Sequence, residues 1–122
     1  MFDADFDATQ RLLRIRFTGR VDADQVRACA EKMQHLLADV APGWRLLTDL
    51  SALESMDVAC VPYIRESMRF CNGKGVSTVV RVIPDPRKDI GYGLLTIFHY
   101  DPTVRVLVCE TLEQAQERLA AA

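Results

Sequence analysis

Four cysteines, two histidines and 17 carboxylates are the side chains with which this chain of 122 residues could do chemistry. Cys29, Cys60, Cys71 and Cys109 stand far apart, and none forms the Cys-x-x-Cys pair of zinc and redox sites. They read as small buried hydrophobes in a reducing compartment. Of the four, Cys60 is the one for which reactivity is conceivable, because a place near the surface in the first turn of a helix would let the macrodipole stabilise a thiolate; the expectation is nevertheless an unreactive thiol. Catalysis would also want a neighbouring histidine, and nothing local to Cys60 supplies one. His35 and His99 each lack a ligand partner four residues on, so neither a metal nor a cofactor is expected.

Other chemistry-bearing segments have a structural use that fits at least as well. Asn72-Gly73-Lys74-Gly75 looks like a phosphate loop, but a phosphate loop follows a strand and opens a helix, whereas this one ends a helix; it reads as a C-cap. Asp85, Arg87, Lys88 and Asp89 beside Pro84 and Pro86 read as a solvated cluster that a partner could also recognise. Tyr92, Leu95 and Phe98, near Tyr100, could line a small apolar pocket or simply pack the core. Asp49 and Asp57 bracket Ser51 and Ser55 in a polar stretch, and Asp57 is placed to cap the helix that follows it.

The bulk properties exclude several function classes. About half of the residues are apolar and a quarter charged, which suits one ordinary globular core over residues 1–122. The 17 acidic and 15 basic residues are mixed along the chain and leave a formal charge of −2, so no basic field collects a nucleic-acid backbone. The start, Met1-Phe2-Asp3-Ala4-Asp5, has neither the basic residues nor the apolar run of a signal peptide, and no apolar stretch is long enough to span a bilayer. A cytoplasmic protein away from membranes is the expectation.

The elements that must position these residues follow from periodicity. Phe2, Ala4 and Phe6 alternate with aspartates, and Leu13, Ile15 and Phe17 alternate with Arg14, Arg16 and Thr18, which predicts an antiparallel hairpin with Asp set against Arg and a strand end at Gly19. Val26, Cys29, Met33, Leu36, Leu37 and Val40 fall at helical spacing up to the stop Pro42-Gly43. Trp44 to Leu50 reads as a strand, and Val61, Ile64, Met68 and Cys71 mark a second helix with Pro62 in its first turn. Val76 to Ile83 is a β-branched run fit for a buried central strand. A helix from Asp85-Pro86 to about His99, weakened by Gly91 and Gly93, is expected next. Val104 to Cys109 makes the last strand, and a capping box at Thr111 opens a final helix to about Ala120. The order β-β-α-β-α-β-α-β-α implies an α/β fold: a single mixed, mostly parallel sheet with an N-terminal hairpin and helices packed on it.

The stretch from Arg45 through Thr48-Asp49-Leu50-Ser51 to Ser55-Met56-Asp57 resembles the signature of the STAS domain, the family of sulfate transporter tails and anti-sigma factor antagonists. Gly19-Arg20-Val21-Asp22, the element order and the length agree with that resemblance. It implies a non-enzymatic regulatory module whose partner is a protein, such as a kinase-like anti-sigma factor. In that family the second Asp is followed by a serine or threonine that the partner phosphorylates; here Asp57 is followed by Val58-Ala59-Cys60, and the hydroxyl is missing. Either the module is not phosphorylated, or Ser55 or Ser51 has taken over. The implied contact surface comprises Asp49, Ser51, Ser55, Asp57, Val58, Ala59 and Cys60. The alternative is a domain binding a small anion, nucleotide or apolar molecule in a pocket at Tyr92, Leu95 and Phe98. A homo-oligomer is compatible with either.

Overall fold

The computed structural model of the chain describes residues 1–85 and 100–121. Strands β1 (Phe2–Asp7) and β2 (Leu12–Phe17) form the expected antiparallel hairpin, with Asp3 opposite Arg16 and Asp5 opposite Arg14. The Arg14 guanidinium pairs with Asp5 on the solvent side. That surface pair contributes no more than about 1 kcal/mol, so its use is to hold register.

From β2 the sheet continues with parallel strands β4 (Arg45–Asp49), β6 (Thr78–Val82) and β7 (Arg105–Cys109), in the order β1-β2-β4-β6-β7. β4 and β6 are buried on both faces, which is why they read as continuous apolar runs rather than alternations. Alternate side chains part between two cores. Leu13, Ile15, Leu46 and Val79 face helices α1 (Ala23–Leu36) and α2 (Val61–Gly73). Leu12, Leu47, Val80 and Val82 meet Ala115 and Leu119 of α3 (Leu112–Ala121) on the other face. Val26, Cys29 and Met33 of α1 and Ile64, Met68 and Cys71 of α2 are the buried stripes that the helical spacing specified.

Two boundaries differ from the sequence expectation. α1 ends at Leu36, ahead of Pro42-Gly43, because Leu37 turns into the core, fully buried, as the helix cap. The second strand does not close at Gly19: a short strand β3 (Gly19–Val21) pairs in parallel with β5 (Leu53–Met56) in a separate two-stranded sheet. Gly19 makes the bend with φ at +70°, a conformation that costs a residue bearing a Cβ. Cys60 is fully buried, like the other three cysteines, which agrees with the reading of all four as small buried hydrophobes and not with a reactive surface thiol. The expected helix from Asp85-Pro86 to His99, with its Gly91-Gly93 weakening, lies outside the described residues.

The Asn72-Gly75 segment is a helix end, as expected, and no phosphate loop. Lys74 caps α2, and Gly75 follows with φ at +83°. The segment is packed too closely for any other residue: a Cβ on Gly75 would lie 2.6 Å from the Cβ of Pro42. Trp44, fully buried, donates its indole N–H to the Lys74 carbonyl at 3.0 Å and so locks this turn to β4.

Candidate functional site

The β3–β5 sheet brings the starts of both leading helices to one end of the molecule. Asp22, directly after β3, caps α1 in a reciprocal box: its carboxylate accepts from the Gln25 amide at 2.9 Å, and the Gln25 side chain accepts from the Asp22 amide at 3.2 Å. Asp57, directly after β5, accepts from the Ala59 amide at 3.0 Å and caps a 3-10 turn, Val58–Cys60, that leads into α2. Its own amide donates to the Val21 carbonyl at 3.1 Å. Asp57 therefore does cap its element, and the element is this short turn rather than α2 itself. Pro62 sits in the first turn of α2, where its missing N–H costs nothing.

The turn is anchored from below and open above. The Cys60 thiol donates to the Val21 carbonyl at 3.8 Å. Burial pushes this thiol above its ordinary range, and the nearby carboxylates of Asp57 and Asp22 push it further. A helix start alone would have lowered it. Val58, by contrast, is 77% exposed, and Ala59 is exposed beside it. Arg27 of α1 stands over the ring of Tyr63 in α2, 6.0 Å from its centre, and joins the two helices next to the turn.

The remaining expected site residues divide between this face and the sheet. Asp49, nearly buried at the end of β4, accepts from the Ser51 amide at 2.9 Å and lies 3.7 Å from the Arg16 guanidinium, so it shapes the turn out of the sheet. Ser51 and Ser55 are exposed. Ser55 joins Arg20, Asp22 and Asp57 around a shallow cleft of about 380 Å³. Tyr92, Leu95 and Phe98, and with them the pocket expected there, lie outside the described residues.

A cavity of about 50 Å³ does lie between the sheet and helices α1 and α2, lined by apolar side chains together with Cys29, Thr48, Ser67, Cys71, Arg81 and Tyr100. Burial holds the Cys29 and Cys71 thiols up at about 12, against 9.0 ordinarily. Arg81 is the residue that sequence reasoning missed. It is 4% exposed in the middle of β6, in register with Thr48 of β4. A guanidinium inside the run Val79-Val80-Arg81-Val82-Ile83 was the available signal, since a charge in a central strand must be satisfied at a cost. Among the described residues no cluster of three metal-ligating side chains occurs, and no helix is long and apolar enough to cross a membrane.

No family description and no curated protein matches the chain by sequence. Solved structures do match by shape. A protein of the DUF3478 family from Shewanella loihica PV-4, described as having a SpoIIAA-like fold, superposes with a TM-score of 0.72 at 14% identity, covering 97% of this chain and 93% of the other. The anti-sigma factor antagonist SpoIIAA in its unphosphorylated form gives 0.68 at 17% identity over 100% of both chains. The Bacillus cell fate determinant SpoIIAA in its phosphorylated form gives 0.66 at 20% identity, covering 98% and 99%. The resemblance carried by the segment from Arg45 to Asp57 thus extends to the whole described architecture, and the chain has a SpoIIAA-like fold of the kind found in STAS domains.

Proposed function

We propose that this chain is a non-enzymatic regulatory domain that binds a partner protein through the turn Val58–Cys60 and the residues around it. The observation that carries the reading is the exposure of Val58, 77%, on a turn fixed by the Asp57 cap, the Asp57–Val21 bond and a buried Cys60. A branched apolar side chain held rigidly in water gains by burial against a partner and loses little entropy there. The likeness to anti-sigma factor antagonists supports the same reading and suggests the partner class, a kinase-like anti-sigma factor in the cytoplasm. SpoIIAA has been solved both with and without phosphate, yet in this chain Val58 and Ala59 offer no hydroxyl, so a switch cannot act at those two positions. Residues Asp49, Ser51 and Ser55 frame the contact.

A photo-cross-linking amino acid at position 58, activated in the native host, tests the proposal. One protein should be captured, and added wild-type protein should compete it away while Val58→Asp protein does not. Equal competition by the two proteins would sink the reading. A second reading is a domain that holds a small molecule; the apolar cavity of about 50 Å³ beside Arg81 would have to open to admit one. A thermal-shift screen of small anions, nucleotides and acyl chains tests it, because a ligand at about 100 times its Kd adds roughly 2.7 kcal/mol of stability.

A further inference from the structure

β7 is an edge of the main sheet, and among the described residues no strand pairs with its outer side. The Arg105 amide donates to the Ser77 carbonyl at 3.0 Å, and the Cys109 carbonyl accepts from the Ile83 amide at 2.8 Å. Arg105, Leu107 and Cys109 therefore turn their backbone groups towards β6, while Val106 and Val108 turn theirs outward. The opposite edge, β1, carries Asp3, Asp5 and Asp7, charges that discourage a further strand. β7 has a single charge, Arg105, followed by Val106-Leu107-Val108-Cys109, and Val108 is 56% exposed. Beside Cys109 a groove of about 360 Å³ runs between this edge and α3, with Gln114, Glu117 and Arg118 on its wall. Among the described residues neither Arg105 nor Glu117 forms an ion pair.

We propose that this edge pairs with β7 of a second copy, antiparallel about a two-fold axis at Leu107, so that the two main sheets run on as one. Such a contact uses the same strand on both copies and closes on itself. The register sets Val106 of each copy opposite Val108 of the other, and these are the residues whose N–H and C=O groups point outward, so they bond reciprocally. The exposed Val108 side chain is then covered by Val106, which packs on the core beneath α1 and α2. On the other face Arg105 falls opposite Cys109 of the second copy, at the mouth of the groove that holds Glu117. An unpaired cation on each copy thus meets an unpaired carboxylate on the other, which is the complementarity that selects a second copy as the occupant. Moving the axis to Val106 or Val108 would set Arg105 opposite Leu107 or Thr111 and lose that match. The contact uses no residue of the Val58–Cys60 turn, so it stands apart from the partner-binding reading.

Sedimentation equilibrium of the whole chain, from micromolar protein up to about 1 mM, should show monomer and dimer in exchange. Val108→Lys, at an exposed position, should raise the dimer Kd by about tenfold or more while the urea midpoint stays at the wild-type value, because a lysine on the edge blocks a further strand. Reversing one charge, by Arg105→Glu or by Glu117→Arg, should raise the Kd by about tenfold, since the two-fold axis repeats each loss. Both reversals together should bring it back close to the wild-type value. A monomer at every concentration, a dimer that Val108→Lys leaves intact, or a double reversal as weak as the single ones overturns the proposal.

Discussion

The amide of Asp57 donates to the carbonyl of Val21 at 3.1 Å, which ties the residue that caps the Val58–Cys60 turn to the last residue of β3. The Cys60 thiol reaches the same carbonyl at 3.8 Å. One carbonyl thus couples the entrance of α2 to the entrance of α1. Asp57→Ala should cost about 1 kcal/mol in urea unfolding, as should Asp22→Ala, because each removes the acceptor for an otherwise unpaired amide. Through Val21 the two losses should fall short of additive in the double variant. Wild-type stability in Asp57→Ala would show that its carboxylate does no capping.

The cysteines should be inert in the native protein. All four are buried, and the Cys60 thiol is raised first by burial and then by Asp57 and Asp22. At neutral pH, iodoacetamide should label none of them before unfolding and all of them after it. Rapid, selective labelling of Cys60 would contradict its buried, protonated state.

Stability should fall at alkaline pH through Cys29 and Cys71. Their folded-state pKa values lie at about 12, against 9.0 in the absence of the fold, so the folded chain holds these protons more tightly than the unfolded one. The contribution is complete below pH 9.0 and is lost as pH rises from there towards about 12. Urea midpoints across this range should decline more steeply in the wild type than in a Cys29→Ala, Cys71→Ala double variant. Parallel declines would assign the loss to other groups.

Gly75 and Gly19 separate strain from crowding. Both have positive φ, but a Cβ at Gly75 would lie 2.6 Å from Pro42 whereas at Gly19 it would meet nothing within 4 Å. Gly19→Ala should cost about 1–2 kcal/mol from backbone conformation alone. Gly75→Ala should cost measurably more in the same denaturation assay, and an equal cost would mean that Pro42 gives way freely.

Val58→Asp and Val58→Ala should both stay within about 0.5 kcal/mol of wild-type stability, since the side chain is 77% exposed. As competitors against capture by the position-58 cross-linker, Val58→Asp should lose most of its effect and Val58→Ala only a modest part, because a carboxylate must be desolvated in an apolar contact whereas alanine only removes area. A large stability loss in either variant would show that Val58 packs internally.

Local pattern alone specified the hairpin, the buried stripes of α1 and α2, the central strand β6 and the Thr111 cap of α3, where the Gln114 amide donates to the Thr111 hydroxyl at 3.1 Å. Each of these depends on residues within a few positions of one another, so period and capping chemistry suffice. The segment from Arg45 to Asp57 likewise marked the loop that the fold exposes. What depended on distant residues was out of reach of that reading. β3 and β5 are three and four residues long, too short for alternation to register, and exist because they pair with each other across 31 intervening residues. The spacing of the cysteines suggested a buried Cys60 without showing what covers it; its burial depends on Val21 and α1 lying against it. Arg81 acquires meaning from its neighbour on another strand, Thr48, because strand register is a property of the assembled sheet and of no single segment.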